Sequence, residues 1–330
     1  MVRLKVMKKK VLVTGGAGYV GSTVVRNLLI NNYEVFVVDN LMQGPLGVNC
    51  FLGHNSYHFI KDDIINKPTI KDLTKKVDYV VHLAAIVGEA ACKKDKDLTL
   101  KTNVEATKNL VNLSLENKVK RFIFLSTCSS YGVQSTDQMA NEETPLNPVS
   151  LYAESKISME DFIKKQCNSE MSYTILRPST VHGASPRMRF DLIVNHFVKD
   201  ALTKNELQIF GPNLWRPLMW VGEAGRAIDT ILKAEDKLIK NEIFNLGNTK
   251  DNLQKSEVGK IIKEKFIKDL KISYLGQDQD LRSYRVDFTK IEKQLNFKLE
   301  KSLEEAISEI IFSIKNNLYK DLDDPVYKNH

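Results

Sequence analysis

The chain has 330 residues, of which 42% are hydrophobic, so it is long enough to bury a large core in one large domain or two unequal ones. Its net charge of +7 is spread along the chain, with lysines interleaved among 41 acidic residues and without basic patches that alternate with aromatic residues, which argues against nucleic-acid binding. No apolar run approaches the roughly 18 residues of a membrane span, and the four cysteines lie far apart, so we expect a soluble cytoplasmic protein without a disulfide framework or a metal site.

Short apolar runs alternate with amphipathic helical patterns through the first half of the chain. The apolar runs cover 11–13, 35–38, 79–81, 122–125 and 173–176, and the helical patterns include 20–31, 98–117 and 151–167. Apolar strands separated by helices are typical of a parallel sheet that is covered on both faces. The sequence therefore predicts an α/β protein with a doubly wound parallel sheet, the Rossmann architecture.

The second half of the chain has a different character. From Arg177 the alternation weakens, and loops rich in proline, glycine and arginine occupy 177–189 and 211–217. We therefore expect a Rossmann domain over 1–177 and a smaller C-terminal lobe, mainly 178–330, that binds substrate. The apolar run 244–246 could return to the first lobe, so parts of 218–248 are assigned to the Rossmann domain as well.

A glycine-rich turn follows the first predicted strand and opens a helix. Gly16, Gly18 and Gly21 have the spacing that permits a tight turn and a close approach of the backbone to a pyrophosphate, and Gly15 extends the pattern. Asp39 ends the second strand, where a carboxylate binds ribose hydroxyls and repels the 2′-phosphate of NADP. The pattern predicts NAD as the cofactor.

A second group of residues has the chemistry of proton transfer. Tyr152 and Lys156 lie four residues apart in a predicted helix, so both side chains project from one face. The positive charges of Lys156 and of oxidised nicotinamide are expected to lower the pKa of Tyr152, which could then act as a base. Thr127, in the polar segment 126–132, follows the apolar strand 122–125. It therefore lies at the carboxyl ends of the strands, where ligands bind in such sheets.

Taken in order, these motifs resemble the extended short-chain dehydrogenase/reductases, in particular the NAD-dependent nucleotide-sugar epimerases and dehydratases of the UDP-glucose 4-epimerase type. The resemblance runs from about residue 10 to 315. The matching pieces are 14–22, 39–40, 63–64, 82–85, Asn103, 126–132, 152–156 and 177–183.

The resemblance implies a role for each matching residue. Thr127, Tyr152 and Lys156 are expected to be catalytic, with Lys156 also holding the nicotinamide ribose. The residues expected to contact NAD are Gly15, Gly18, Tyr19, Val20, Gly21, Asp39, Asn40, Asp63, Ile64, Leu83, Ala84, Ala85, Asn103, Tyr152 and Lys156. The residues expected to contact a nucleotide-diphosphate sugar are Thr127, Thr180, Asn195, Arg216 and Arg282.

At positions 128 and 129 this chain departs from the family pattern, and the departure limits the type of reaction that it can catalyse. Related dehydratases carry acids directly after the catalytic threonine, where this chain has Cys128 and Ser129. Neither side chain is a good acid for expelling a hydroxyl, which argues against 4,6-dehydration, and a small buried cysteine is more often a packing residue than an acid or base.

His182, at the end of a strand, is interpreted as a structural histidine rather than a proton carrier. The arginines Arg187 and Arg189 could equally add positive charge near the substrate or begin a solvated helix.

The remaining parts suffice for reversible oxidation of a sugar hydroxyl. The leading interpretation is C4 epimerisation of a nucleotide sugar through a 4-keto intermediate. The alternatives are a nucleotide-sugar dehydrogenase or a C2 or C5 epimerase on the same scaffold, and further off a small-molecule reductase. The resemblance also implies a homodimer that pairs the helices near 98–117 and 151–167.

Overall fold

A computed structural model describes residues 8–134, 138–167, 171–276, 280 and 282–329. The strands, in chain order, are β1 Lys10–Thr14, β2 Glu34–Asp39, β3 Tyr57–Lys61, β4 Tyr79–His82, β5 Arg121–Leu125, β6 Ser172–Pro178, β7 Thr180–His182, β8 Glu206–Phe210, β9 Trp215–Trp220, β10 Glu242–Leu246, β11 Asn252–Gln254 and β12 Lys271–Leu275. The α-helices are α1 Tyr19–Ile30, α2 Leu46–Asn49, α3 Lys67–Thr74, α4 Glu89–Lys94, α5 Lys96–Leu100, α6 Thr107–Glu116, α7 Leu151–Gln166, α8 Ile193–Lys204, α9 Gly222–Lys233, α10 Asp236–Ile239, α11 Lys255–Lys265, α12 Thr289–Leu295 and α13 Leu303–Lys315.

Seven parallel strands form the large sheet, in the order β10-β6-β5-β4-β1-β2-β3. Successive residues of β1 point to opposite faces: Val11 and Val13 join the core on one side and Leu12 joins the core on the other, and all three are fully buried. Helices cover both faces, which confirms the predicted doubly wound α/β fold.

The strand order reverses next to β1, whose neighbours are β2 and β4. At such a point the connections leave in opposite directions and open a crevice at the carboxyl ends of the strands. The segments that follow β1, β2 and β4 therefore meet at one edge of the sheet, and these segments carry the glycine turn, Asp39 and the run 83–85.

The predicted helix over 98–117 is interrupted in the structure. One helical turn, Lys101–Ala106, is a π-helix between α5 and α6. A π-turn inserts one extra residue and is frequent at functional sites. Here it carries Asn103, whose side chain lies at the loop after β4.

The second lobe contains a three-stranded sheet, β11-β9-β7, and the parallel pair β8 and β12. Its core packs α8, α11 and α13 against these strands. Two later segments pack with the large sheet and its helices, since β10 pairs with β6 at the edge of the sheet and α9 packs against α1. None of the helices in the described ranges combines the length and hydropathy that a bilayer crossing requires.

Candidate active site

A cleft of about 1440 Å³ lies at the carboxyl ends of the large sheet and is closed by the second lobe. Most of the residues singled out from the sequence line it. These are Gly15, Gly18, Tyr19, Val20, Gly21, Asp39, Asn40, Asp63, Ile64, Leu83, Ala84, Ala85, Thr127, Tyr152, Lys156, Thr180, Arg216 and Arg282. Asn103 and Asn195 do not line it.

The glycine turn packs so closely against the protein backbone that two of its positions exclude any side chain. Gly15 has a φ of +72°, and a Cβ there would lie 2.7 Å from the backbone of Ala84. A Cβ at Gly21 would lie 2.0 Å from the carbonyl oxygen of Gly15. Gly18 precedes α1 and supplies no side chain that could cap its first turn. The turn is therefore a cradle of bare backbone at a helix N-terminus, which fits the pyrophosphate of a dinucleotide.

Asp39 faces this turn from the end of β2. Its Oδ2 accepts a hydrogen bond of 3.0 Å from the amide of Ala17, and its Oδ1 accepts one of 2.9 Å from the amide of Leu41. Burial raises the pKa of the Asp39 carboxyl above its usual range. Beside it, Asn40 Nδ2 donates to Asp63 Oδ2 at 2.7 Å. These groups fit the hydroxyl-rich ribose and the adenine of NAD.

Tyr152 and Lys156 lie on the first turns of α7, which begins where the Ser150 hydroxyl accepts a hydrogen bond from the amide of Ala153. Lys156 Nζ donates to the carbonyl oxygen of Leu125 at 2.8 Å and lies 4.7 Å from the centre of the Phe124 ring. Burial lowers the pKa of Lys156 to about 8. The ammonium is thus held at the end of β5 beside the cleft.

The pKa of Tyr152 is set by burial and by the charged groups of the protein around it. Burial raises the pKa of Tyr152, and the positive charges of Arg189 and Arg282 oppose this rise. The lowered pKa expected from the sequence depends on the charges of both Lys156 and oxidised nicotinamide, and the ammonium of Lys156 is directed to the Leu125 carbonyl. In this structure desolvation therefore has the larger effect on the phenol.

Thr127 enters the cleft at the end of β5, just before a 3₁₀-helix, Cys128–Tyr131. Its Oγ1 accepts a hydrogen bond of 3.0 Å from the amide of Ser129. Ser129 lines the cleft as well, whereas the thiol of Cys128 points into the protein and donates to the carbonyl oxygen of Arg177 at 3.0 Å. Burial raises the pKa of Cys128 well above its usual value. The thiol is a packing group in this structure.

A buried ion pair supports this segment from behind. Glu160 on α7 accepts hydrogen bonds of 3.0 and 2.6 Å from Nε and Nη2 of Arg177, and a further one from the hydroxyl of Ser126. Arg177 Nη1 also donates to the hydroxyl of Tyr131 at 3.0 Å. The residues on both sides of Thr127 are thereby tied to the helix that carries Tyr152.

Asn103 acts one layer behind the cleft. Its Oδ1 accepts a hydrogen bond of 2.8 Å from the amide of Ile86, and its Nδ2 donates to the Ile86 carbonyl at 3.0 Å and to the Ser155 hydroxyl at 3.3 Å. The side chain therefore fixes the loop after β4 against α7. It positions the cofactor-side loop and does not itself reach the cleft.

The structure places Asn195 differently from the sequence expectation of a substrate contact. Asn195 is fully buried in α8. Its Oδ1 accepts from the amide of Gly183 at 2.9 Å, and its Nδ2 donates to the Arg189 carbonyl at 2.8 Å and to the Tyr19 hydroxyl at 3.2 Å. All its polar atoms are engaged by the protein, so it organises the loop 183–189.

The two arginines assigned to the substrate share one acid. Arg282 donates to both carboxylate oxygens of Asp280, from Nε at 2.7 Å and from Nη2 at 2.6 Å, and Arg216 lies 3.0 Å from the same carboxylate. Arg282 Nη1 also donates to the Ser129 hydroxyl at 2.8 Å. Arg282 thus reaches the end of the cleft where Thr127 lies.

Several cleft residues escaped the sequence reasoning although they follow simple spacings. On α8, His196, Asp200 and Lys204 recur every four residues and line the cleft along one helical face. On β8, the alternate residues Glu206, Gln208 and Phe210 line it along one face of the strand. The polar stripe on a helix and the period of two on a strand were the available signals.

The chain was compared with known proteins. Residues 11–247 match the NAD dependent epimerase/dehydratase family. A putative UDP-glucose 4-epimerase of Methanocaldococcus jannaschii is 30% identical over 318 residues, covering 93% of this chain and 99% of the relative. A UDP-N-acetyl-alpha-D-glucosaminuronate decarboxylase of Bacillus cytotoxicus is 26% identical, with coverages of 92% and 97%. The crystal structure of a UDP-glucose 4-epimerase with UDP-glucose from Thermotoga maritima superimposes with a TM-score of 0.84 at 28% identity, covering 94% of this chain and 100% of that one.

These matches confirm the resemblance found in the sequence and the assignment of NAD as the cofactor, which the glycine cradle and Asp39 fit. The relatives described above are named as UDP-sugar epimerases and a UDP-sugar decarboxylase. Proteins of the matching family are enzymes. The chain is an NAD-dependent enzyme and belongs to the NAD dependent epimerase/dehydratase family.

Proposed function

We propose that this enzyme epimerises a nucleotide-diphosphate sugar at C4 through a 4-keto intermediate. The observation that carries the proposal is that Thr127, Tyr152 and Lys156 line the same cleft as the glycine cradle, while the residue that faces the cleft after Thr127 is Ser129 and not an acid. A hydroxyl can orient a sugar but cannot drive the loss of water from it. The site is therefore suited to reversible oxidation and reduction.

In the proposed reaction, Tyr152 removes the proton of the C4 hydroxyl and later returns it, with Thr127 hydrogen-bonded to the same oxygen. Lys156 is proposed to hold the nicotinamide ribose, and the positive charge of oxidised nicotinamide would favour the ionised form of the phenol. NAD, when bound, accepts and returns a hydride. The raised pKa of Tyr152 in the described structure means that positive charge must gather near the phenol before it can act as a base.

The proposed binding roles follow from position in the cleft. The turn 15–21 holds the pyrophosphate of NAD, Asp39 holds its ribose hydroxyls, and Asp63 with Ile64 faces the adenine. Arg216 and Arg282 bind the phosphates of the sugar nucleotide, and the substrate extends from Thr127 towards α8 and β8. The names of the relatives refer to UDP sugars, which supports a UDP sugar as the first substrate to test. We further propose a cytoplasmic homodimer that pairs the helices near 98–117 and 151–167, which sedimentation at several concentrations would detect.

The decisive experiment uses the NAD-loaded protein and a panel of UDP, GDP, CDP and dTDP sugars, followed by proton NMR in heavy water. We expect a C4 epimer without deuterium in the sugar and without NADH absorbance, because the hydride returns to the carbon that lost it. Net NADH would indicate a dehydrogenase, and deuterium at C5 would indicate a C5 epimerase. A panel without any conversion would contradict the proposal.

The matched control is Tyr152→Phe, which keeps the ring and removes the hydroxyl. Loss of a general acid or base lowers turnover by roughly 10²- to 10⁴-fold. We expect that loss together with an unchanged content of bound NAD. A variant that keeps full turnover would remove Tyr152 from the mechanism.

A further inference from the structure

Arg187 is a buried arginine at the end of the cleft that contains Asp39. It belongs to the loop between β7 and α8, is 1% exposed and lines the cleft. Burial lowers the pKa of Arg187 to about 10, so the guanidinium is still charged at neutral pH, and the carboxylate of Asp39 is a nearby opposite charge. Arg187 and Asp39 are far apart in the chain, but in the fold they are close enough for their charges to interact.

The terminal nitrogens of Arg187 join two separate segments. Nη2 donates to Gln43 Oε1 at 2.7 Å, in the loop after β2, and to the carbonyl oxygen of Lys328 at 2.8 Å. Nη1 donates to Asn329 Oδ1 at 2.8 Å. One guanidinium therefore fastens residues 325–329, called here the closing segment, to the loop that follows Asp39.

The closing segment is well anchored on the second lobe. The amide of Phe190 donates to the carbonyl oxygen of Tyr327 at 2.9 Å, and the rings of these two residues meet edge to face with centres 5.7 Å apart. Pro325, Val326 and Asn329 line the cleft. The segment thus forms a wall of the cleft at the end that Asp39 occupies.

The third nitrogen of Arg187 lacks a partner. Its Nε is buried and makes no hydrogen bond to any residue in the described ranges. A buried donor on a charged group is costly unless an acceptor completes it, and phosphate oxygens are the strongest acceptors for a guanidinium. Arg187 lines the cleft, and an oxygen of a ligand bound there would supply the acceptor that Nε lacks.

The loop that carries Arg187 is fastened to the start of α1. The Tyr19 hydroxyl donates to the carbonyl oxygen of Gly183 at 2.7 Å, and the Ser185 hydroxyl donates to the carbonyl oxygen of Tyr19 at 2.7 Å. The loop that carries Arg187 is thereby held against the start of α1, next to the glycine cradle, and Arg187 and Asp39 line the same cleft. The glycine cradle and Asp39 are the groups that fit the pyrophosphate and the adenosine ribose of NAD.

We propose that Arg187 retains the cofactor: its Nε donates to an oxygen of the adenosine diphosphate half of NAD, while its two terminal nitrogens hold the closing segment across that end of the cleft. Release of NAD then requires breaking the three bonds to Gln43, Lys328 and Asn329. This inference rests on NAD as the cofactor and is independent of which reaction the cleft performs.

The test is the exchange of bound NAD for isotopically labelled NAD in the purified holoenzyme without substrate, followed by mass spectrometry of the protein-bound fraction. We expect Arg187→Met to exchange at least roughly tenfold faster than the parent, since each hydrogen bond to a charged group contributes about a factor of ten or more. Asn329→Ala, which leaves the guanidinium in place and removes one anchor, is expected to give a smaller acceleration.

The matched control is Arg121→Met. Arg121 lies at the start of β5, far from the cleft, and donates to the carbonyl oxygens of Ile231, Leu232 and Ala234. The substitution therefore removes a comparable set of hydrogen bonds. We expect its NAD exchange to match the parent. Equal exchange rates for Arg187→Met and the parent, or equal acceleration by Arg121→Met, would overturn the proposal, whatever the sugar panel shows.

Discussion

Lys156 holds a positive charge in a place from which water is largely excluded. Its ammonium has one carbonyl partner, Leu125, and the face of Phe124, and burial lowers its pKa to about 8. A lysine whose pKa falls on folding destabilises the folded protein wherever the charged form prevails. Under the proposed function, Lys156 is therefore kept for catalysis at a cost to the stability of the fold.

Replacement of Lys156 by Met is expected to abolish turnover and to stabilise the NAD-free protein by about 1–3 kcal/mol at pH 7. The folded pKa lies below the unfolded one, so the cost of the lysine is complete below pH 8 and vanishes as the pH rises through its unfolded value. The advantage of the variant should shrink over that interval. Urea unfolding at several pH values measures it, and a variant less stable than the parent at pH 7 would contradict the account.

The residues of the site that could be predicted share one property, which is that their signals are local. Gly15 to Gly21 and the pair Tyr152 and Lys156 are defined by spacing within two helical turns, and periodicity carries that information. Arg187 meets Gln43 and the closing segment only because distant parts of the chain fold together, and no spacing encodes those contacts. The partners of Asn195 were invisible in the sequence for the same reason, since they come from another strand end and another helix.

Among the elements, α7 does two jobs at once. Tyr152 and Lys156 face the cleft, and Glu160, one turn further, faces the buried Arg177. One face of one helix therefore carries both the two residues that we propose for proton transfer and the ion pair that holds the segment around Thr127. The helix was predictable from its pattern, whereas the partner of Glu160 lies on β6 and became visible only in the fold.

We expect Glu160→Gln to lower the free energy of unfolding by about 3–5 kcal/mol, because it leaves the buried Arg177 without its counter-charge. The control is Glu154→Gln, an exposed position on the same helix, for which a change within about 0.5 kcal/mol is expected. Equilibrium unfolding in urea provides both values. Similar losses in the two variants would show that the ion pair is not a significant source of stability.

At the scale of the whole molecule, the loop 183–189 connects two distant helices, since it is hydrogen-bonded to α1 and to α8. Asn195 is its main fastening, through Gly183 and Arg189. Its amide is saturated by the protein, so its contribution is expected in stability rather than in substrate binding.

Asn195→Ala should therefore cost about 2–4 kcal/mol of stability, because it strands a buried N–H and a buried carbonyl. The KM for the sugar nucleotide should stay within about twofold of the parent. Thr203→Ala, at an exposed position on α8, is the control for the helix itself. A large rise in KM with unchanged stability would restore Asn195 to the substrate site.

The pairing of β10 with β6 in the large sheet has a consequence for truncated forms of the protein. We propose that the first lobe comprises residues 1–177 together with the later segments α9 and β10, so its physical boundary does not coincide with a point in the sequence. A fragment that stops at 177 would leave β6 as an open edge, with the unpaired amides and carbonyls from which sheets add foreign strands. Such a fragment is expected to aggregate on expression, and fusing 218–248 to it through a short linker is expected to restore solubility.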